Sequence, residues 1–257
     1  PVPISWPIPD GGLGTVSYVL EILMAVMGTR DRWRTMPWMV TFFGILVIPL
    51  GVVSIYFIIS QPIVIGTWST LALIAALAML IMIPYSLDEL VAMGQFLVLN
   101  KRRGRPVWST FFRGDALPGG TIDRHPGFGD PLPAAFASSI RGVNLPWTLV
   151  ASALIGVWLM FSRASLGSIP PIADSDHLVG ALVVTVAIIA MAEVARPLRF
   201  LNILFGLWLI AAPWLLHGSN VTGDVAGMIA GLALIALSLP RGRRSEEHYG
   251  SWDRLIV

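Results

Sequence analysis

Gly66-Thr67-Trp68-Ser69-Thr70-Leu71-Ala72-Leu73 opens a long apolar run, directly after an uncharged turn that contains Gln61-Pro62. Beyond Thr70 the run stays apolar as far as Ile83. A run of this length has no polar face to turn toward water, so it reads as the head of a membrane-crossing helix. The composition agrees. Of 257 residues, 55% are hydrophobic and only 12% are charged, and the mean hydropathy is +0.76. These values predict an all-α, polytopic integral membrane protein. The chain has no cysteine, which excludes disulfides, thiolate metal sites and thiol catalysis in this polypeptide.

Working outward, seven apolar runs are predicted as spans, at about 13–27, 36–59, 68–83, 146–161, 178–195, 198–216 and 225–239. Pro49 and Gly51 should kink the second. Pro84 should interrupt the third, followed by an amphipathic continuation to about Asn100. Residues 1–100 therefore form a three-helix part. Residues 101–143 are rich in Gly, Pro and charge, hold no plausible span, and read as a linker on the membrane surface. Residues 144–240 carry four runs and residues 241–257 a basic tail.

The four runs form an internal repeat. Gly156-Val157-Trp158-Leu159-Met160 matches Gly206-Leu207-Trp208-Leu209-Ile210, and Asp176-His177-Leu178-Val179-Gly180 matches Asp224-Val225-Ala226-Gly227 with one residue fewer. Two hairpins of one design are expected, with Trp158 and Trp208 beside Gly156 and Gly206 at close helix contacts. Trp33, Trp38, Trp68, Trp108, Trp147 and Trp214 fall at predicted span ends, as an interfacial aromatic belt does.

Loop charge sets an orientation. Arg30, Arg32 and Arg34 follow the first run; Lys101, Arg102, Arg103, Arg105, Arg113, Arg124 and Arg141 follow the third; Arg196 and Arg199 the fifth; Arg241, Arg243, Arg244 and Arg254 the seventh. Of all the lysines and arginines, Arg163 alone falls on the other side. Seven spans with the linker and C-terminus in the cytoplasm, and the N-terminus outside, satisfy this pattern. The pI of 9.4 is then a sign of orientation and not of nucleic-acid binding. Trp68 to Leu73 falls on the extracytoplasmic side.

Trp68-Ser69-Thr70-Leu71-Ala72-Leu73 resembles the active-site segment of bacterial vitamin K epoxide reductase family proteins, whose Cys-x-x-Cys pair would occupy positions 69 and 72. Ile8 to Gly14 resembles the start of that family's second helix, so the resemblance implies a further helix and a two-cysteine loop ahead of Pro1. Ala212-Pro213-Trp214 resembles the signature of SPW-repeat membrane domains; the first copy has Ser162-Arg163-Ala164 there. Tyr249-Gly250-Ser251-Trp252-Asp253-Arg254 resembles the tail of bacterial proteins that fuse the two. The resemblance implies a bacterial inner-membrane protein and, for intact members, quinone-linked thiol–disulfide exchange. Ser69 and Ala72 cannot perform it, and a mixed serine–alanine pair fits loss during evolution. Phe57, Ile65, Trp68 and Leu71 could still line a quinone or lipid cleft, or serve as packing and interfacial residues.

The acids within or beside spans are Glu21, Asp88, Glu89 and Glu193. Glu21 is expected to hydrogen-bond between helices or pair with an arginine of the following turn. Lys101 and its neighbours are expected to pair with Asp88 and Glu89, and Glu193 is expected at the interface near Arg196. His125, His177, His217 and His248 lie far apart in sequence and give no metal-ligand spacing. Two functions stay open: a non-catalytic accessory or structural subunit whose partners are membrane lipid and partner helices, or a quinone-linked thiol–disulfide oxidoreductase seen as a cysteine-free variant or fragment.

Overall fold

A computed structural model describes residues 10–28, 31–116 and 142–243. Arg30, the glycine- and proline-rich middle of the linker with His125, the expectations for residues 1–9, and the tail with His248 and Tyr249 to Arg254 lie outside the described residues. The described chain is helical throughout, with no strand and one isolated antiparallel bridge, Val143 to Ala192. In hydrocarbon every backbone polar group must be satisfied within its own segment, which is why apolar runs such as these become helices.

In chain order the helices are α1 (Asp10–Val26), α2 (Arg32–Thr35), α3 (Pro37–Ser60), α4 (Thr70–Arg102), α5 (Val107–Arg113), α6 (Trp147–Met160), α7 (Ser162–Ser165), α8 (Ile172–Ile189), α9 (Leu201–Leu215) and α10 (Val221–Ser238). A π-helical turn (Gln61–Ile65) extends α3, and a 3₁₀ helix (Glu193–Phe200) leads into α9. By length and composition α3 with its extension, α4, α8, the 3₁₀ helix with α9, and α10 are able to cross a membrane. α1 and α6 are shorter apolar helices.

Several elements differ from the sequence expectation. α4 runs unbroken through Pro84, although Pro84 offers Leu80 no helical donor. Its 33 residues span about 50 Å at ~1.5 Å per residue, longer than the ~30 Å of hydrocarbon, so its basic C-terminal end reaches the headgroup layer. The Ser60–Thr67 turn is mostly the π-helical extension of α3. α8 begins at Ile172, not near residue 178, and ends at Ile189. Its first turns carry Asp174, Asp176 and His177, which hydropathy assigned to a loop. The linker contains a helix, α5.

α3 and α4 form the central pair of the first part. Phe43, Val47, Met79, Leu80 and Ile83 make its core, and Met24 of α1 packs on it. Gly51 lets α3 approach α4 closely, since a Cβ there would sit 2.8 Å from Ile83 Cδ1. Val184, Ile188 and Ile189 of α8 pack on the same cluster. α8 is thus the shared wall of the two parts: 61% of its best span window is buried, against 28% for each other span.

The second part is a pseudo-symmetric pair of hairpins, α6–α8 and α9–α10. Gly156 and Gly180 face each other so closely that a Cβ on either would fall 2.7 or 2.4 Å from the other's carbonyl oxygen; Gly206 and Gly231 do the same at 2.6 and 2.5 Å. The structural repeat therefore equates Gly180 with Gly231. Gly227, its match by sequence, has nothing within 4 Å of a built Cβ. The core keeps the corrected register, with Leu159, Val179 and Val183 answering to Leu209, Ala230 and Leu234. The tryptophans are not equivalent: Trp208 Nε1 donates to Ser175 Oγ at 2.9 Å, while the position answering to Ser175 in that register is Ala226.

The helix ends that loop charge assigned to one side also meet in space. On the arginine-rich side Arg32 pairs with Glu89 through two bonds, at 2.5 and 2.6 Å, and caps the end of α1 by donating to Met24 O and Ala25 O at 2.7 and 3.0 Å. Glu89 is therefore held by Arg32 and not by Lys101 or its neighbours. Asp88 is buried against Gly142, whose positive φ and missing Cβ admit its carboxylate. Glu193, near Arg196 at the end of α8, is buried within the protein and accepts from Asn144. Arg196 donates to the Asn144 side chain and to Arg241 O. Glu21 is buried on α1, but its Oε1 has no hydrogen-bond partner among the described residues, neither another helix nor an arginine.

Candidate functional site

The head of α4 is built by the turn before it. Pro62 interrupts the hydrogen-bond ladder of α3, and the chain widens into the π-helical turn, which Gly66 closes at φ 76°. Gln61 then holds the loop twice. Its carbonyl accepts from Gly66 N at 2.8 Å, and its buried side-chain Oε1 accepts from Ser69 N at 2.7 Å. Ser69 is extended and serves as the N-cap of α4, its hydroxyl accepting from Ala72 N at 3.4 Å.

Positions 69 and 72 are thus the N-cap and the third helical residue. Two thiols there would face each other at a helix N-terminus, where the helix dipole favours a thiolate. The hydroxyl of Ser69 instead serves as a cap, and the methyl of Ala72 carries no reactive group. The helix head to which the resemblance assigns a cysteine pair carries a capping hydroxyl and a methyl group.

Trp68 points away from that cap into the second part. Its ring stacks on Phe161 at 6.0 Å between centroids and meets His177 edge-on at 5.4 Å. His177 is buried and bridges two helix ends. Nε2 lies 3.0 Å from Ile58 O in α3, and Nδ1 lies 3.2 Å from Met160 O, the last residue of α6. Each carbonyl needs a donor from outside its helix. The residue four beyond Ile58 is Pro62, which has no N–H, and Met160 ends its helix. A neutral imidazole donates to one of the two carbonyls and an imidazolium to both.

Beside this joint lies a cavity of about 280 Å³, lined by Pro62, Ile63, Gly66 and Trp68 from the first part, and by Phe161, Arg163, Asp174 and His177 among others from the second. Arg163 and Asp174 form an ion pair of 2.8 Å on its rim. Among the four residues read as a cleft, only Trp68 lines it. Phe57 and Ile65 are exposed, as is Leu71 at 80%, and they face outward where lipid would lie.

The sequence singles out Trp68, Ser69 and Ala72. It gives Gln61 only as part of an uncharged turn, and His177 only among loop histidines. Pro62 was the one available signal, because a proline near a helix end orphans a carbonyl that some donor must satisfy. Among the described residues no group of three or more His, Asp or Glu side chains could hold a metal ion.

The vitamin K epoxide reductase family matches this chain over residues 3–87, and the SPW repeat domain matches it over residues 146–240. No curated protein and no solved structure matches it. Trp68, Ser69 and Ala72 fall in the first match, and Phe161 and His177 in the second, so the joint lies between the two. The chain is a membrane protein that joins a vitamin K epoxide reductase family region without cysteines to an SPW repeat domain.

Proposed function

We propose that this chain is a non-catalytic polytopic membrane protein, an accessory or structural subunit of a larger membrane complex, in which the former redox segment has become the seat of the SPW repeat domain. The observation that carries this reading is the engagement of Trp68 by Phe161 and His177, next to a Ser69 that serves as a helix cap. A redox centre needs reactive groups at these positions, whereas Ser69, which is still exposed, gives its hydroxyl to the helix cap, and Trp68 beside it is turned to the protein's own second domain. The family resemblance supports a bacterial inner-membrane location, and loop charge supports an N-terminus outside and a C-terminus in the cytoplasm. Extraction from native membranes in mild detergent tests the subunit role. A second membrane protein in constant ratio supports it, and a chain that emerges alone under every mild condition overturns it.

The cavity beside Trp68 favours a second reading, a module that binds a quinone ring or lipid tail without turnover. At about 280 Å³ it lies just under the usual range for small-ligand pockets, ~300–1,000 Å³. Solvent extraction of the purified protein distinguishes the readings, since bound quinone in constant ratio supports a module and repeated extracts without it remove this reading.

A further inference from the structure

α5 has the opposite polarity to a helix that lies in water. Its one buried residue is polar: Thr110 faces the protein and donates to Pro106 O at 3.1 Å. Two of its three aromatic residues face out, Trp108 at 74% and Phe112 at 60% exposure, while Phe111 is half-buried. These two lie one turn apart on the same side. The rings of Trp108 and Phe112 stack at 6.3 Å, and Phe111 meets Phe112 edge-on at 4.9 Å. A helix facing water buries its apolar stripe and exposes its polar residues.

The position of α5 is fixed at the ends of two spans. It packs against α3 and α4. Asp115 N donates to Arg34 O at 2.9 Å just ahead of α3, and Asp115 pairs with Arg105 at 3.0 Å. Gly104, at φ 79°, turns the chain out of α4 immediately before it. α5 therefore lies against the arginine-rich ends of α3 and α4. Around it Lys101, Arg102, Arg103 and Arg113 are exposed and form no ion pair among the described residues.

We propose that residues 101–113 form an interfacial anchor for anionic phospholipids of the membrane that the spans cross. The aromatic side of α5 lies among the upper acyl chains, and the four free cations take the lipid phosphates. Interfacial helices bind membranes through this pairing of buried apolar area with attraction to anionic lipid, and long basic side chains reach headgroups while their stems stay in apolar surroundings. Charge complementarity selects an anionic lipid over a neutral one.

The 257 residues contain no cysteine, so single spin labels can be placed in this chain without further change. Labels at Phe112→Cys and Ser109→Cys are compared in vesicles of phosphatidylcholine with and without phosphatidylglycerol. With phosphatidylglycerol present, the label at 112 should collide with oxygen and be shielded from a water-soluble nickel chelate, and the label at 109 should show the reverse. Removing phosphatidylglycerol should lower the oxygen preference at 112. K101Q/R102Q/R103Q/R113Q should abolish that dependence on lipid charge, and in native mass spectrometry should bring retained phosphatidylglycerol down to the level of phosphatidylcholine. A label at 112 open to the chelate overturns the proposal. So does one shielded from both probes, which means that protein covers the face. Equal retention of the two lipids by the unsubstituted chain overturns it as well.

Discussion

Replacing His177 by alanine should weaken the whole protein by an amount that its three contacts set. The hydrogen bond that the imidazole donates to Ile58 O or Met160 O is worth about 0.5–1.5 kcal/mol net. The edge-on contact with Trp68 adds ~0.5–1.5 kcal/mol beyond area. The summed expectation is a loss of about 1–3 kcal/mol, near the upper end because the orphaned carbonyl lies in surroundings that offer little water. Reversible unfolding of the full chain in mixed micelles by a denaturing detergent, followed by tryptophan fluorescence, reads this directly. His177→Gln, which keeps a donor, should retain part of the loss. A double-mutant cycle with Trp68→Ala isolates the ring contact and should return a coupling of about 0.5–1.5 kcal/mol. Trp214→Ala, at an exposed position, is the control and should change little. A loss on His177→Ala within ~0.5 kcal/mol, the range of ordinary surface substitutions, refutes the bridge; so does zero coupling with Trp68.

Gly156→Ala and Gly206→Ala should destabilise by similar amounts, about 1–3 kcal/mol, because each pushes a Cβ into a facing carbonyl; Gly227→Ala should cost nothing in the same unfolding assay. Arg32→Ala should cost ~3–5 kcal/mol, since it strands the nearly buried Glu89 carboxylate and uncaps α1, and the stability of R32M/E89M should recover part of it. Gln61→Ala should cost about 1–3 kcal/mol by removing the buried acceptor of Ser69 N, and hydrogen exchange should quicken at Ser69 ahead of the middle of α4.

The fold was legible because a bilayer imposes a coarse rule. Apolar runs between arginine-rich and uncharged loops can be little other than alternating spans, and the helix ends grouped by charge do meet. What escaped was local and polar. Hydropathy began the fifth span at Leu178 because Asp174, Asp176 and His177 look like a loop. α8 absorbs them, for His177 lies between two helix-end carbonyls and Asp174 pairs with Arg163. Pro84 breaks no helix because a membrane helix loses one bond there and gains nothing from unwinding in hydrocarbon. Glu89 went to Arg32 and not to a nearer arginine, because the chain reversal at α2 brings that guanidinium to α4. In the repeat, a matching aspartate suggested one register and carbonyl-to-glycine contacts impose another. At the site, the motif that carries the resemblance could be read at positions 68, 69 and 72. Gln61 and His177 could not, since their partners are backbone groups, and a backbone group carries no sequence pattern.

That residues 66–73 join two helical domains and carry no redox chemistry is tested most directly by quinone-dependent oxidation of a small dithiol, with the full chain reconstituted in vesicles. The predicted rate equals that of vesicles without protein, at any quinone concentration. A rate above that background, proportional to the amount of chain added, would contradict it.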